Sequence, residues 1–137
     1  MIIVVDTNVI IAAVLKQSIT QDLLFHPHFR FYAPEFVKDE IEKYQDDLIK
    51  KSGYNAEKFY TILSLVFSRI TIIPQEEYMK YKDEVLDFSP DKDDWPFLAL
   101  AKHLMAGLWT YDNDLRTGQH IIKTFTTAEL VQMCCVA

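Results

Sequence analysis

Glycine is scarce in this chain, with three residues among 137, at positions 53, 107 and 118. Neither a phosphate-cradling P-loop nor a dinucleotide-binding G-x-G-x-x-G loop can be formed from glycines so far apart. The only two cysteines, Cys134 and Cys135, are adjacent and cannot join distant segments through a disulfide. The sequence also has no Gly-x-Ser-x-Gly motif, so nucleophilic catalysis by serine lacks support.

Long apolar runs are missing as well. No stretch approaches the ~18 apolar residues that a membrane span requires. The N-terminus passes from Met1 directly into Ile2–Val5, without a basic region or a cleavage site, so no signal peptide is expected. Half of the residues are hydrophobic and 25% are charged, which is typical of a globular protein. We therefore expect a soluble, cytoplasmic protein with a single domain over residues 1–137.

An excess of basic charge is the third absence. Fourteen Lys and Arg residues oppose twenty Asp and Glu residues, which gives a net charge of −6. A protein that binds nucleic acid by neutralising phosphates is normally basic. Either nucleic acid is not the ligand, or a bound cation contacts the phosphates. The positions of the acidic residues decide between these alternatives.

Short apolar runs alternate with segments of helical periodicity along the chain. The runs predict strands at residues 2–5, 29–33, 70–73, 108–110 and 121–125. Apolar residues at three- and four-residue spacing predict helices over 9–15, 19–25, 34–52, 55–67, 76–86, 95–106 and 128–134. Gly107 is expected to end the helix before it, and residues 111–118 to form a polar loop. Strands that alternate with helices indicate an α/β fold with a mainly parallel sheet.

Six aspartates lie just after a predicted strand or just before a predicted helix: Asp6, Asp91, Asp93, Asp94, Asp112 and Asp114. Ligands of parallel α/β sheets bind beyond the carboxyl ends of the strands, where these carboxylates would meet. Such a cluster is unfavourable unless a cation joins it. Oxygen ligands without Cys or His favour Mg²⁺ or Mn²⁺. The pattern predicts metal-assisted hydrolysis of a phosphodiester.

Taken one at a time, these acids other than Asp6 are better explained by structural roles. Asp93 or Asp94 would be a good N-cap for the helix at 95–106, and residues 112–114 have the composition of a turn. Asp6 differs, because it ends an entirely apolar strand and precedes an apolar helix. A crevice is the natural place for such a side chain, so we favour a functional role for Asp6.

Four sequence blocks resemble the PIN-domain family, in the family's order and at suitable spacing. They are VDTNVI at 5–10, PEFVKDEI at 34–41, DDWPFLALA at 93–101 and LWTYDNDL at 108–115. FTTAEL at 125–130 is similar to the family's C-terminal junction of strand and helix. The blocks span essentially the whole chain. Many short PIN proteins are VapC-type toxins of toxin–antitoxin pairs, and they resemble this chain in length.

The resemblance implies a three-layer α/β/α sandwich around the parallel sheet and a Mg²⁺- or Mn²⁺-dependent ribonuclease. It assigns catalytic roles to Asp6, Glu40, Asp94 and Asp112, of which the three aspartates would bind the metal. Only the resemblance selects Glu40, because the acidic residues around it have the same composition as a solvated helix face: Glu35, Asp39, Glu42 and Asp46.

Supporting roles are assigned to residues beside the four acids: Thr7, Asn8, Asp93, Thr110 and Asp114. Thr7 and Asn8 match the family, where they would orient the first acid or a water, but helix capping explains them equally well. Asp112 and Asp114 stay alternatives for the position that faces the metal.

The implied partners are an RNA substrate, a protein antitoxin and a second copy of the chain in a homodimer, with no membrane. A PIN-like module that processes RNA outside a toxin pair, or only binds RNA or protein, is one alternative. A phosphotransferase of the haloacid-dehalogenase kind is another, but its first strand ends in Asp-x-Asp, whereas Asn8 stands at the second position here.

Overall fold

A five-stranded parallel sheet forms the centre of the protein, in the order β3-β2-β1-β4-β5. The computed structural model describes residues 1–135; residues 136 and 137, which the predicted domain includes, lie outside the described residues. The strands are β1 (Ile2–Val5), β2 (Arg30–Pro34), β3 (Ile70–Ile73), β4 (Gly107–Trp109) and β5 (Thr124–Phe125).

Nine α-helices occur in the described residues. They are α1 (Thr7–Leu15), α2 (Ile19–Leu24), α3 (Phe36–Ser52), α4 (Ala56–Phe67), α5 (Gln75–Tyr78), α6 (Lys82–Leu86), α7 (Trp95–Leu104), α8 (Asn113–Thr117) and α9 (Thr127–Cys135). None of them is long and apolar enough to cross a membrane. Short 3₁₀ turns lie at Met79–Tyr81 and Lys92–Asp94.

Helices cover both faces of the sheet, as the three-layer prediction requires. Helix α7 packs on β1 and β2 and contacts α5 and α6, while α1, α3 and α4 pack against one another. Strand β1 lies in the middle, and its Ile3, Val4 and Val5 are fully buried. The apolar run that predicted this strand therefore lies at the centre of a parallel sheet, where strands are buried on both faces. The α/β/α sandwich with a parallel sheet is confirmed.

The order in which the chain adds strands to the sheet reverses between β1 and β4. The chain first adds β2 and β3 on one side of β1 and then crosses to add β4 and β5 on the other side. The carboxyl ends of β1 and β4 are adjacent, since Val5 pairs with Trp109 and the Asp6 amide donates to the Trp109 carbonyl at 3.0 Å. Crevices at such switch points are the usual binding sites of parallel α/β folds.

Two predictions around Gly107 were wrong. The helix ends at Leu104 rather than at 106, and the residue after it, Met105, has the left-handed conformation (φ 51°) that was expected of glycine. Gly107 instead begins β4. A Cβ there would come within 2.2 Å of the Phe125 ring, so glycine is required by the close packing of β4 on β5.

Three further segments differ from their predictions. The single helix expected at 76–86 is divided into α5, a 3₁₀ turn and α6, and the loop at 111–118 contains α8. The strand expected at 121–125 is reduced to Thr124–Phe125, because the Gln119 side chain holds a turn there. Its Oε1 accepts from the amides of Ile121 and Ile122, and its Nε2 donates to the carbonyls of Leu115 and Ile122.

Candidate active site at the carboxyl ends of the strands

An open crevice of about 430 Å³ lies beyond the carboxyl ends of β1 and β4. Seven acidic residues line it: Asp6, Asp39, Glu40, Asp91, Asp93, Asp94 and Asp112. They come from the end of β1, from helix α3, from the segment before α7 and from the segment after β4. The fold thus brings together the acids of four separate parts of the chain, as the sequence predicted for the strand ends.

Asp6 is the most buried of these acids, with 6% of its surface exposed. Its Oδ2 accepts a hydrogen bond of 2.7 Å from Oγ1 of the buried Thr110. The same Oγ1 accepts from the Asp112 amide at 3.0 Å, so Thr110 connects the acid after β1 to the acid after β4. Burial raises the pKa of Asp6 in spite of the hydrogen bond from Thr110, and the charge of Asp112 raises it further.

Glu40 faces the crevice from helix α3. Its Oε1 accepts a hydrogen bond of 2.5 Å from Oγ1 of Thr7, the first residue of α1. The buried Thr7 therefore holds a carboxylate on a neighbouring helix, and its hydroxyl is not a helix cap. Partial burial is the main cause that raises the pKa of Glu40, and the charges of Asp6 and Asp93 contribute.

Asp94 occupies the N-cap position of α7, but its side chain makes no capping hydrogen bond. The capping interpretation of this residue is therefore wrong. Burial raises its pKa to about 7, together with the charges of other acids in the crevice: Asp6, Asp91, Asp112 and Glu40. Asp94 is thus a carboxylate on which burial and the repulsion of four neighbouring acids act together.

Asp91 and Asp112 have capping roles in addition to their place in the crevice. Asp91 Oδ1 accepts from the Asp93 amide at 2.9 Å, and Asp112 Oδ1 accepts from the Asp114 amide at 2.9 Å. Asp112 is the N-cap of α8 and lines the crevice, whereas Asp114 does not line it. Of the two alternatives left by the sequence, Asp112 is the one that faces the other acids.

The acids around Glu40 are also separated by the fold. Glu35 accepts a hydrogen bond of 2.9 Å from the Gln75 amide at the start of α5. Glu42 and Asp46 are exposed and do not line the crevice, whereas Asp39 does. Helix α3 therefore presents Glu40 and Asp39 to the cluster, a distinction that the sequence alone did not provide.

The crevice offers the kind of ligand atoms that a hard divalent cation prefers. Its potential ligands are carboxylate, hydroxyl and amide oxygens, and no His or Cys lines it among the described residues. Within that part of the chain, no three His, Cys, Asp or Glu side chains are grouped tightly enough to hold a metal ion by themselves. This arrangement fits Mg²⁺, which keeps several waters and needs only one or two direct carboxylates. Burial, and after it the repulsion between the acids, raises the pKa values of Asp6, Glu40 and Asp94, and a cation would offset that repulsion.

Residues 4–133 match the family described as PIN domain. This chain belongs to the PIN-domain family. The members of the family are generally nucleases. The PIN domain is similar to the structure of a toxin–antitoxin complex from Klebsiella pneumoniae, with a TM-score of 0.64 and 17% identity over 90% of this chain and 96% of that chain. It is also similar to the structure of VapBC-1 from nontypeable Haemophilus influenzae, with a TM-score of 0.65 and 19% identity over 93% and 99% of the two chains. No protein of curated function matches the sequence.

Most of the predicted site residues of this PIN domain do meet in the crevice. Those that line it are Asp6, Thr7, Asn8, Glu40, Asp93, Asp94 and Asp112. Thr110 lies beneath them, bonded to Asp6, and Asp114 lies outside. Sequence reasoning missed Lys43 and Tyr44, which also line the crevice. Their spacing from Phe36 and Glu40 on α3 was a usable signal, because positions 36, 40, 43 and 44 share one helix face.

Proposed function

We propose that this PIN domain is a Mg²⁺- or Mn²⁺-dependent endoribonuclease that hydrolyses RNA phosphodiester bonds. The observation that supports it is the convergence of Asp6, Glu40, Asp94 and Asp112 in one crevice. Three of these acids have raised pKa values, and part of the cause is their mutual repulsion. A cluster that destabilises the folded chain without a cation is typical of a functional site rather than of a stabilising one.

Asp6, Asp94 and Asp112 would bind the divalent ion, and Glu40 would complete the site. When bound, the ion activates the scissile phosphate and supplies positive charge for the transition state. Thr110 holds Asp6 in position from below, and Thr7 holds Glu40 from the side. With one oxygen fixed by Thr7, the Glu40 carboxylate orients the attacking water and receives its proton.

The first test is cleavage of a total-RNA pool in Mn²⁺, Mg²⁺ or EDTA. We expect cuts that require the metal and that disappear in Asp94→Asn. Asp47→Asn is the matched control, because Asp47 is an exposed acid on α3 that does not line the crevice. Cleavage by Asp94→Asn at the rate of the unchanged protein would contradict the assignment. The band pattern in the same experiment identifies the RNA that is cut.

We further propose that the nuclease is a cytoplasmic toxin that a protein antitoxin inhibits, and that it forms a homodimer. The likeness to a toxin–antitoxin complex supports this role. Induced expression in bacteria is expected to arrest growth, and Asp94→Asn to restore it. Light scattering on the purified chain should give twice the monomer mass of 16.0 kDa. Normal growth during expression of the active nuclease would favour an RNA-processing role instead.

A module that binds RNA or protein without cleaving it is the second candidate. One observation favours it: within the described residues, no three His, Cys, Asp or Glu side chains are already close enough together to hold a metal ion. Thermal unfolding with and without Mg²⁺ separates the two candidates, since only a working metal site is stabilised by the ion. A phosphotransferase is disfavoured, because Asn8 lines the crevice where that class places its acid.

A further inference from the structure

Lys43 is the one basic residue that lines the crevice within the described residues. It follows Glu40 by three positions on α3, so the two side chains share a helix face. Lys43 is exposed and forms no ion pair with the acids; the one ion pair in residues 1–135 joins Lys102 to Glu84. Its charge acts on Glu40, whose pKa it lowers, but no ion pair holds its ammonium group, which an external anion can therefore reach in the same space as the seven acidic residues.

Tyr44 lies beside Lys43 and also lines the crevice, with 49% of its surface exposed. The Lys43 Nζ lies 5.4 Å from the centroid of its ring. Within the described residues the Tyr44 hydroxyl has no hydrogen bond, whereas the exposed Tyr60 on α4 donates to Gln45. Apart from the contact with the Lys43 ammonium, neither burial nor a polar contact explains an aromatic side chain at this position.

An ammonium group next to an exposed aromatic ring is the combination with which proteins bind single-stranded nucleic acid. The cation contacts the phosphate, and the ring stacks on an unpaired base. The chain has a net charge of −6, so an RNA strand that approaches the acidic crevice needs a local cationic contact besides the metal. Lys43 is the residue in a position to provide it.

We infer that Lys43 and Tyr44 bind the nucleotide next to the cleaved bond, Lys43 through its phosphate and Tyr44 by stacking on its unpaired base. This inference rests on the proposed ribonuclease function. Glu40 and Lys43 on one face of α3 then have complementary roles, since Glu40 faces the reacting phosphate and Lys43 the neighbouring one.

The test measures binding of a fluorescent oligouridylate to Asp94→Asn in Mg²⁺, so that the RNA stays intact. In this parent, Lys43→Ala is expected to weaken binding about fivefold and to reduce the slope of log affinity against log salt by about 0.7, the value for one phosphate contact on a single strand. Lys51→Ala is the control, because Lys51 is an exposed α3 lysine outside the crevice. Lys43→Arg should retain the affinity and the slope.

Tyr44 should have a different signature. Tyr44→Ala is expected to weaken binding about tenfold without a change in the salt slope, because stacking releases no counterions. Tyr44→Phe should bind like the parent. In the active protein, both alanine variants should raise KM for the cleaved RNA more than they lower kcat.

Failure of the inference and failure of the proposed function give different results. Equal affinities and slopes for Lys43→Ala and Lys51→Ala, with RNA still cleaved by the unchanged protein, would overturn the inference alone. If the parent does not bind the oligouridylate and the unchanged protein cleaves no RNA, both are wrong. A loss of affinity in Tyr44→Phe equal to that in Tyr44→Ala would exclude stacking.

Discussion

At the amino end of the sheet the charged groups are held by polar partners, whereas at the carboxyl end the charged groups repel one another. The Met1 ammonium donates to the His28 carbonyl at 3.1 Å, and Arg69 Nε donates to the Leu24 carbonyl at 3.1 Å. At the other end, the Asp94 carboxylate accepts no capping hydrogen bond, and burial together with the neighbouring acids raises its pKa to about 7.

The contrast separates charges that stabilise the fold from charges that destabilise it. A charged group that is paired with a carbonyl lowers the free energy of the folded state by about 1–3 kcal/mol. Carboxylates whose pKa values are raised favour the unfolded state wherever they are ionised. Both ends belong to the same strands, so the difference is not a property of the sheet. It indicates that the carboxyl end is shaped by a requirement other than stability.

The strongest test of this contrast is Asp6→Asn. RNA cleavage should fall at least about a hundredfold, because even partners outside the direct ligands of a metal contribute tenfold to a hundredfold. The free energy of unfolding of the metal-free protein should stay the same or increase, since Asn removes a buried charge and still accepts the hydrogen bond from Thr110. Cleavage rate and thermal unfolding measured on one preparation check both parts. Undiminished cleavage, relative to Asp47→Asn, would remove Asp6 from the site.

The next effect in size is expected from Thr110→Val, which keeps the shape but removes the hydroxyl. Asp6 then loses its donor and the Asp112 amide loses its acceptor. Cleavage should decrease about tenfold to a hundredfold, as expected when a group that orients a ligand is lost. Thr110→Ser should restore most of the activity. If Val and Ser behave alike, Thr110 serves packing alone.

A smaller effect concerns the pH dependence of stability in EDTA. Asp94 has a pKa of about 7 in the folded chain against 3.8 ordinarily, so its ionisation destabilises the fold fully above pH 7 and not at all once both states are protonated. As pH falls from about 8 to about 4, this residue should add about 1–2 kcal/mol to the free energy of unfolding, after solvent screening of a half-exposed group. The raised pKa values of Asp6 and Glu40 act in the same direction.

Urea unfolding of Asp94→Asn beside the unchanged protein isolates this contribution. The variant should be the more stable at pH 8 and the two should converge near pH 4. Mg²⁺ should reduce the difference at pH 8, because the ion offsets the repulsion. Parallel stability profiles for the two proteins would show that the acids do not repel one another as their positions indicate.

Much of the fold could be predicted because the residues at the ends of many strands and helices are themselves the signals that end them. The apolar runs of β1 and β3 end at Asp6 and Pro74, and both strands have the predicted bounds. Asn55 caps α4 by accepting from the Lys58 amide, a role that asparagine favours at the start of a helix. The ends of helices and strands that were predicted wrongly depend on contacts between residues distant in sequence. One example is the Phe125 ring, which requires a glycine at position 107 in β4.

The candidate site divides in the same way. Asp6 could be selected from the sequence, because a carboxylate between a buried strand and an apolar helix can reach solvent only through a crevice. Glu40 could not, since its neighbours have the same composition and only the contact with Thr7 on another helix distinguishes it. Asp112 and Asp114 differ by the orientation of one turn, which depends on the capping hydrogen bond between them.

The smallest predicted effect is at the amino end, and it completes the comparison. Arg69→Met removes the donor to the Leu24 carbonyl and the contact of the guanidinium with the Phe25 ring, 5.9 Å from its centroid. The free energy of unfolding should fall by about 1 kcal/mol, and RNA cleavage should stay the same. Asp94→Asn should have the opposite effects: RNA cleavage should be lost, and the free energy of unfolding of the metal-free protein should increase. If Arg69→Met instead reduces cleavage without reducing stability, Arg69 contacts the RNA, and the division of charges between the two ends of the sheet does not hold.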